Sequence, residues 1–180
     1  IHFNLMKKEN YLVKNITIKD IYLILKARNS QLNVLRNRYK KTKSQQLEYF
    51  NNFIKNQYNK KKPDQLLKSI YSNNEWIGYG GLTNINWHDL NAELSFLLNN
   101  NYNKSQNEYK KVFDFFLKKI FIFSFNELKL DKIYTETYSF RKFHIKILEK
   151  NGFKYEGTKK KHIIIESKKI DILMHGKFKK

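Results

Sequence analysis

Hydrophobic and polar positions follow two periods along the chain, one typical of strands and the other of helices. Strands are predicted over residues 12–16, 65–71, 75–82, 91–98, 132–139, 153–165 and 169–174. Helices are predicted over residues 17–27, 44–58, 105–128 and 142–150. A central meander flanked by helices and followed by a βαβ-like half belongs to the mixed α/β or α+β class.

Capping and breaking residues mark several ends of these elements. Ser105 with Glu108 has the spacing of a capping box, and Asn151-Gly152 is a C-terminal stop signal for the last helix. The first helix is expected to bury an apolar side formed by Ile18, Ile21, Leu23, Ile24 and Leu25.

Length and composition predict one domain. The chain has 180 residues, of which 41% are hydrophobic, and this is enough to bury a core of ordinary size. Pro63 is the single proline, and no low-complexity linker or internal repeat divides the chain. We expect the domain to span residues 6–180, with the five residues before Met6 set aside as preceding the start of translation.

The formal net charge of +20 suggests an anionic partner, yet we do not expect nucleic acid. Only four of the 36 basic residues are arginine, the residue that binds bases and phosphates bidentately. The abundant Lys, Asn, Ile, Phe and Tyr all have AT-rich codons, so an AT-rich genome would by itself be enough to produce the bias. A salt-sensitive, sequence-independent attraction to nucleic acid is the weaker alternative.

Cysteine is absent, which excludes disulfides, thiolate zinc sites and a cysteine nucleophile. This absence is compatible with a cytoplasmic location, which we expect. No metal is predicted, because the histidines are scattered without ligand spacing. No signal peptide is visible, and the longest apolar stretch, residues 120–125, is far below the roughly 20 residues of a membrane span. A homodimer is compatible with the sequence.

Alternation along the strand at 91–98 singles out one carboxylate. Glu93 and Ser95 lie on one side of that strand, and Leu94 and Phe96 lie on the other, which is the expected core side. A carboxylate in a cleft wall accepts a proton from an ammonium group, often through water. It equally binds a cationic substrate, or lies at the surface without a role, and the alternation does not separate these cases.

Five segments in this order resemble the GNAT family of N-acetyltransferases, in particular the RimJ/RimL-type enzymes and the enzymes that acetylate nucleotide-linked amino sugars. The segments are ILKARN at 24–29, WIGYGGL at 76–82, NAELSF at 91–96, FNEL with KIY within 125–134, and LEKNGFKYEG at 148–157. No single segment is specific, whereas their combined order and spacing are.

The resemblance implies the acyl-CoA N-acyltransferase fold, a mostly antiparallel twisted sheet flanked by helices. It implies acetyl-CoA as co-substrate, with the pantetheine arm between two diverging strands and backbone groups of Phe96, Leu97 and Leu98 at the acetyl carbonyl. It also implies an acceptor site. The residues expected there are Arg28 and Asn29, together with Trp87 and His88, because the loop that carries the last two lies between two meander strands and loops at that end can shape the acceptor site.

The sequence departs from the family where the pyrophosphate of CoA is normally held. The glycine-rich turn is missing, so Ser105, Gln106 and Asn107 at the helix start are the expected phosphate ligands. Arg141 stands where the family has Asn and is expected to bind a phosphate. A capped helix with solvated lysines is the alternative for this segment.

The usual acidic tyrosine is also missing, because Leu148 occupies its position. Tyr138 or Tyr134, on the strand at 132–139, is a candidate replacement. His144, at the start of the last helix, is a candidate acid or base. Packing of the tyrosines and simple exposure of the histidine are the alternatives.

Together these observations predict transfer of acetyl from acetyl-CoA to a primary amine, with Glu93, Tyr138 and His144 as catalytic candidates. The expected acceptor is a small anionic amine, such as a nucleotide-linked amino sugar, because the protein is strongly basic. Acetylation of protein N-termini and a binding module that has lost catalysis are the alternatives.

Overall fold

The computed structural model describes residues 11–180, so the expected domain start at Met6 lies outside the described residues. The helices are α1 Ile21–Asn29, α2 Lys43–Tyr49, α3 Lys55–Gln57, α4 Asn100–Lys104, α5 Gln106–Phe121 and α6 Lys142–Lys150. The strands are β1 Tyr11–Asn15, β2 Leu66–Ser72, β3 Glu75–Asn86, β4 Asn91–Leu98, β5 Lys132–Tyr138, β6 Lys154–Ile165 and β7 Lys168–Phe178. None of these helices has the length and apolarity that crossing a membrane requires.

The seven strands form one sheet in the order β1-β2-β3-β4-β5-β7-β6. Every neighbouring pair is antiparallel except β4 and β5, which are parallel. This mixed α/β architecture, with a mostly antiparallel sheet flanked by helices, confirms the predicted fold class. It also confirms the predicted central meander, since β2, β3 and β4 pair in sequence.

The parallel contact between β4 and β5 is short. It consists of the pairs Asn91 with Lys132, Ala92 with Ile133, and Glu93 with Tyr134. Beyond Glu93, β4 continues to Leu98 while β5 stays paired with β7 as far as Tyr138. The two strands therefore part at Glu93 and leave a wedge between them.

Hydrophobic clusters cover the two faces of the sheet. On one face α5 packs through Phe113, Phe116 and Leu117, which are at most 1% exposed. On the other face Ile24 of α1 and Ile54, between α2 and α3, pack on Trp76 and other sheet residues. Complete burial of side chains of this size contributes roughly 1.5–3 kcal/mol each, so the sheet is held from both sides.

Gly80 sets how closely α5 approaches the sheet. A Cβ atom at this position would lie 2.8 Å from Cζ of Phe116 and 2.6 Å from the Ser95 carbonyl oxygen. Such distances are too short for real contacts, so only glycine allows the Phe116 ring to rest on β3.

Helix boundaries and faces differ in part from the prediction. The helix predicted from residue 44 begins at Lys43, capped by the Thr42 hydroxyl, and runs through a π-helical segment, Phe50–Ile54, into α3. In the first helix Ile18 and Leu23 are 61% and 42% exposed, contrary to expectation. Ile21, Ile24 and Leu25 form the buried stripe, and the other two positions fall outside it.

Candidate active site

The divergence of β4 and β5 opens a cleft that contains a cavity of about 530 Å³, called here the cleft cavity. Residues 34–37, from the loop between α1 and α2 (residues 30–42), cover one side of it. The side chains that line it and bear chemical function are Arg28, Arg36, Glu93, Ser95, Thr135, Glu136, Arg141 and His144. The wedge is therefore open space and is not filled by packed side chains.

Glu93 lies where the strands part and is only 8% exposed. Its Oε2 accepts a hydrogen bond from Asn84 Nδ2 at 2.8 Å, and its Oε1 pairs with the Arg36 guanidinium. Burial raises the pKa of the Glu93 carboxyl, although Arg36 and Asn84 oppose the rise. A carboxylate with a raised pKa is a stronger base near neutral pH than an ordinary surface glutamate.

Arg36 joins the loop to both strands of the wedge. Besides Glu93 on β4, its guanidinium lies 3.3 Å from Glu136 Oε2 on β5. The loop itself is held by hydrogen bonds between the Asn29 side chain and the Lys41 backbone, at 2.8 and 3.0 Å. Tyr138 also holds it, because its hydroxyl donates to the Leu35 carbonyl at 3.0 Å.

The backbone of β4 presents only part of the predicted set to the wedge. Asn99 N–H donates to the Ile77 carbonyl at 2.8 Å, so the antiparallel alternation turns the backbone groups of Leu97 toward β3. The backbone N–H and carbonyl groups of Phe96 and Leu98 face the wedge instead. The Leu98 carbonyl, however, already accepts a hydrogen bond from Gln31 Nε2 at 2.8 Å. The backbone groups of Leu97 therefore do not face the wedge, and the N–H groups of Phe96 and Leu98 do.

His144 is buried, so the alternative of a simply exposed histidine at the helix start is wrong. Its ring stacks on Phe113 at a centroid distance of 4.5 Å, and its Nδ1 lies 2.7 Å from the Tyr109 hydroxyl. Arg141 donates to the same hydroxyl at 3.2 Å. Burial, with Arg141 nearby, lowers the pKa of His144 well below 6.5, so the ring is neutral at pH 7. Because the Tyr109 hydroxyl accepts from Arg141, we infer that it directs its own hydrogen to Nδ1 of His144. The hydrogen of the neutral ring is then on Nε2.

A second cavity of about 450 Å³ lies at the starts of α5 and α6 and is called here the helix-start cavity. Gln106, Tyr109, Arg141 and His144 are among its lining residues, and the last two also line the cleft cavity. Ser105 does not line it but caps α5, its Oγ accepting from Glu108 N–H at 3.3 Å. Free backbone N–H groups therefore remain at Gln106 and Asn107.

The donor set of the helix-start cavity fits a pyrophosphate even without glycine. Arg141 supplies a guanidinium, and the first N–H groups of a 16-residue helix supply donors and a partial positive charge. Glu108, the nearest acidic residue of the first turn, is paired with Lys111 Nζ at 2.9 Å. The Asn107 side chain is exposed and does not line the cavity.

Arg28 lines the cleft cavity and also a third cavity of about 340 Å³, called here the Arg28 cavity. The other predicted acceptor residues lie elsewhere. Asn29 holds the loop, as described above. Trp87 and His88 are in the β3–β4 turn, at the paired end of β4, where Trp87 Nε1 donates to the Pro63 carbonyl at 2.8 Å. Trp87 and His88 therefore do not line the cleft cavity or the Arg28 cavity, and their role at an acceptor site stays a prediction.

Two residues of this region were not predicted. Tyr109 is recognisable in sequence only as one of the apolar positions that α5 repeats toward Phe113 and Phe116. Arg36 lies in a segment without periodicity, so no local signal identifies its contacts with Glu93 and Glu136. Within residues 11–180, no group of three His, Asp or Glu side chains is arranged to hold a metal ion.

Comparison with known proteins identifies related molecules. A family model described as "Acetyltransferase (GNAT) domain" matches residues 13–174. The spermidine N-acetyltransferase of Vibrio cholerae, solved with CoA and spermine, is 17% identical with a TM-score of 0.78, over 93% of this chain and 95% of that chain. A dodecameric structure of spermidine N-acetyltransferase from the same organism is 16% identical with a TM-score of 0.75, over 93% of each chain. At these identities the likeness establishes the fold alone. A search of curated proteins finds no match.

Proposed function

Because the chain belongs to the GNAT family of acetyl-CoA-dependent N-acetyltransferases, we propose that it acetylates the primary amine of a small acceptor that also carries an anionic group. A nucleotide-linked amino sugar is an acceptor of this kind. The observation that carries the proposal is the position of Glu93, buried where β4 and β5 part and facing an open cleft.

The acetyl donor is proposed to lie on the α5–α6 side of the cleft. The N–H groups of Gln106 and Asn107 and the Arg141 guanidinium would hold the pyrophosphate. The N–H groups of Phe96 and Leu98 are available to polarise the acetyl carbonyl. Bound there, acetyl-CoA supplies an activated thioester, and the chain orients it toward Glu93.

Glu93 is proposed as the general base. It takes a proton from the acceptor ammonium, directly or through a water molecule, and so leaves a neutral amine. The nitrogen lone pair forms the C–N bond as the C–S bond breaks. A second proton passes from the nitrogen to the departing thiolate, directly or through water, so that CoA leaves as the neutral thiol.

His144 is proposed to stabilise that thiolate. A neutral imidazole whose Nδ1 is held by Tyr109 can direct its Nε2–H toward the departing sulfur. Tyr109 acts here as a positioning residue, since it sets the tautomer of His144. The Tyr138 hydroxyl donates its hydrogen to the Leu35 carbonyl, so this hydrogen is already used in holding the loop. A catalytic role for Tyr138 stays a prediction.

A polyamine acceptor is the second candidate. Two carboxylates, Glu93 and Glu136, line the cleft and would bind ammonium groups. Two of the structural neighbours are described as spermidine N-acetyltransferases, one of them in complex with spermine. Acetylation of protein N-termini and a non-catalytic binding module are further alternatives without a specific supporting observation.

Calorimetry with acetyl-CoA, followed by thiol-release assays, tests the proposal. The assays compare UDP-linked amino sugars, spermidine and a peptide with a free N-terminus as acceptors. We expect binding of acetyl-CoA and the fastest thiol release with the amino-sugar nucleotide. Absence of acetyl-CoA binding at millimolar concentration would contradict the transferase function, and faster turnover of spermidine would favour the polyamine candidate.

We also propose that the chain self-associates, at least as a dimer. Large hydrophobic side chains are exposed on the β6–β7 hairpin, among them Tyr155, Ile164 and Phe178. One structural neighbour is described as dodecameric. Sedimentation velocity at micromolar concentration measures the state directly, and a monomer would refute this part of the proposal.

A further inference from the structure

The three cavities lie side by side, with the cleft cavity, which Glu93 lines, in the middle. The helix-start cavity shares Arg141 and His144 with the cleft cavity. The Arg28 cavity shares a different set with it, including Arg28, Tyr79 and Ser95. A donor and an acceptor that enter from opposite ends would therefore meet beside Glu93.

Two buried polar groups of the Arg28 cavity have no partner. Gln46 is 2% exposed, and its Oε1 accepts no hydrogen bond. Nε of Arg28 is likewise buried without an acceptor. Unpaired buried groups of this kind are rare in folded proteins, so two of them around one cavity favour a binding site there. A half-turn of the Gln46 amide would present its NH2 group to the same space.

The same cavity gathers positive charge without a counter-charge. Arg28 and Lys41 both line it, and burial, with Arg28 as the second cause, lowers the pKa of Lys41. The ion pairs in the described part of the chain use other cations, such as Arg36 and Lys159. Two neighbouring cations that are partly desolvated repel each other, and an anion between them would remove that repulsion.

We propose that the Arg28 cavity binds the anionic group of the acceptor, a phosphate or a carboxylate, while the acceptor amine lies at Glu93. This inference rests on the proposed function and specifies its acceptor class. Arg28 and Lys41 supply charge-assisted donors, and Gln46 supplies a neutral one. The phosphates of CoA are not the intended ligand, since their proposed donor set lies on the other side of the cleft cavity, around Arg141.

Matched amines test the subsite kinetically. Thiol release is measured with O-phosphoethanolamine, β-alanine and ethanolamine, which offer a phosphate, a carboxylate and no anion. For the first two, we expect Lys41→Gln to lower kcat/KM by about tenfold, as the loss of a charged hydrogen bond predicts. Ethanolamine turnover and the KM for acetyl-CoA should not change. Lys40→Gln, which removes the same charge from the neighbouring exposed position, is the control. An equal loss for all three amines would overturn the proposal.

A binding measurement separates failure of the subsite from failure of the transferase function. Inorganic phosphate is titrated calorimetrically into the protein saturated with CoA, so that the helix-start cavity is filled. We expect binding by the unaltered protein and an affinity about tenfold weaker for Lys41→Gln. Binding that is absent, or unchanged in Lys41→Gln, refutes the subsite even if no amine in the panel is acetylated. Thermal melting of each variant confirms that it is folded.

Discussion

The two sides of the cleft are built in different ways. On the α5–α6 side, aromatic rings form a dense stack in which Phe96 lies 4.3 Å from Phe113, and Phe113 lies 4.5 Å from His144. On the α1–α2 side, a loop is held by a few hydrogen bonds, and its Arg36 side chain is 53% exposed. The side proposed to bind acetyl-CoA is rigidly packed. On the side proposed to bind the acceptor, the loop sequence can change with little loss of buried contacts.

The largest expected effect comes from the aromatic stack. Phe113→Ala removes a fully buried ring, and we expect a loss of about 3–5 kcal/mol in the free energy of unfolding. Tyr39→Ala, at a loop position that is 82% exposed, should change it by less than about 0.5 kcal/mol. Urea denaturation measures both. Comparable losses for the two variants would remove the contrast between a rigid side and an adjustable side.

The next effect concerns Glu93, which lies between the two sides. Glu93→Gln keeps the hydrogen bond with Asn84 but cannot accept a proton, so kcat should fall by about 100-fold or more. Binding of acetyl-CoA should be unchanged. Glu75→Gln, at an exposed strand end, is the matched control. Retention of more than half of kcat by Glu93→Gln would exclude Glu93 as the base.

The rigid side should also respond to acid. The pKa of His144 is depressed in the folded protein and is about 6.5 in an unfolded chain. Below pH 6.5 the unfolded state therefore binds a proton that the folded state excludes, and stability falls by about 1.4 kcal/mol per pH unit. His144→Phe keeps the stack on Phe113 and should flatten this dependence. Unfolding measured from pH 7 to pH 5 in both proteins checks it, and parallel curves would contradict it.

The smallest expected effect is on the loop side. Arg36 lowers the pKa of Glu93, so Arg36→Met should raise that pKa further. Because Glu93 acts as a base only when ionised, the acidic limb of the pH profile of kcat/KM should move to higher pH. At pH 6, kcat/KM should fall a few-fold, which corresponds to roughly 0.5–1 kcal/mol in activation free energy. Arg36→Lys should restore part of the activity. An acidic limb at the same pH in both proteins would mean that Arg36 does not act through Glu93.

Sequence reasoning succeeded where local pattern and tertiary structure agree. The predicted bounds of β4 and α6 match the structure, and alternation along β4 correctly put Leu94 and Phe96 in the core. It did not anticipate that the backbone groups of Leu97 point toward β3, since their direction depends on the strand register and not on the side-chain period. It did not place Trp87 and His88 relative to the cleft, because a turn can lie at either end of a cleft and only the pairing of β4 with β5 decides which.

The contacts of Arg36, Tyr109 and His144 could not be predicted from local sequence patterns either, because they join residues that are far apart in sequence. His144 is buried because Phe113, 31 positions away in sequence, stacks on it. Arg36 reaches Glu93 and Glu136 only after the loop folds over the sheet. Long-range packing of this kind leaves no periodic signal, whereas the resemblance of five short segments sufficed for the fold.

The sheet consists of two leaves, β1 to β4 and β5 to β7, that share a seam of three residue pairs. A molecule bound across the wedge would connect β4 and β5 beyond Glu93, where the backbone hydrogen bonds between these strands end. Amide protons along β4 and β5 should then exchange more slowly when both substrates are present than with either alone. Bound substrates would therefore supply contacts between the two halves of the sheet that hydrogen bonds between β4 and β5 do not provide.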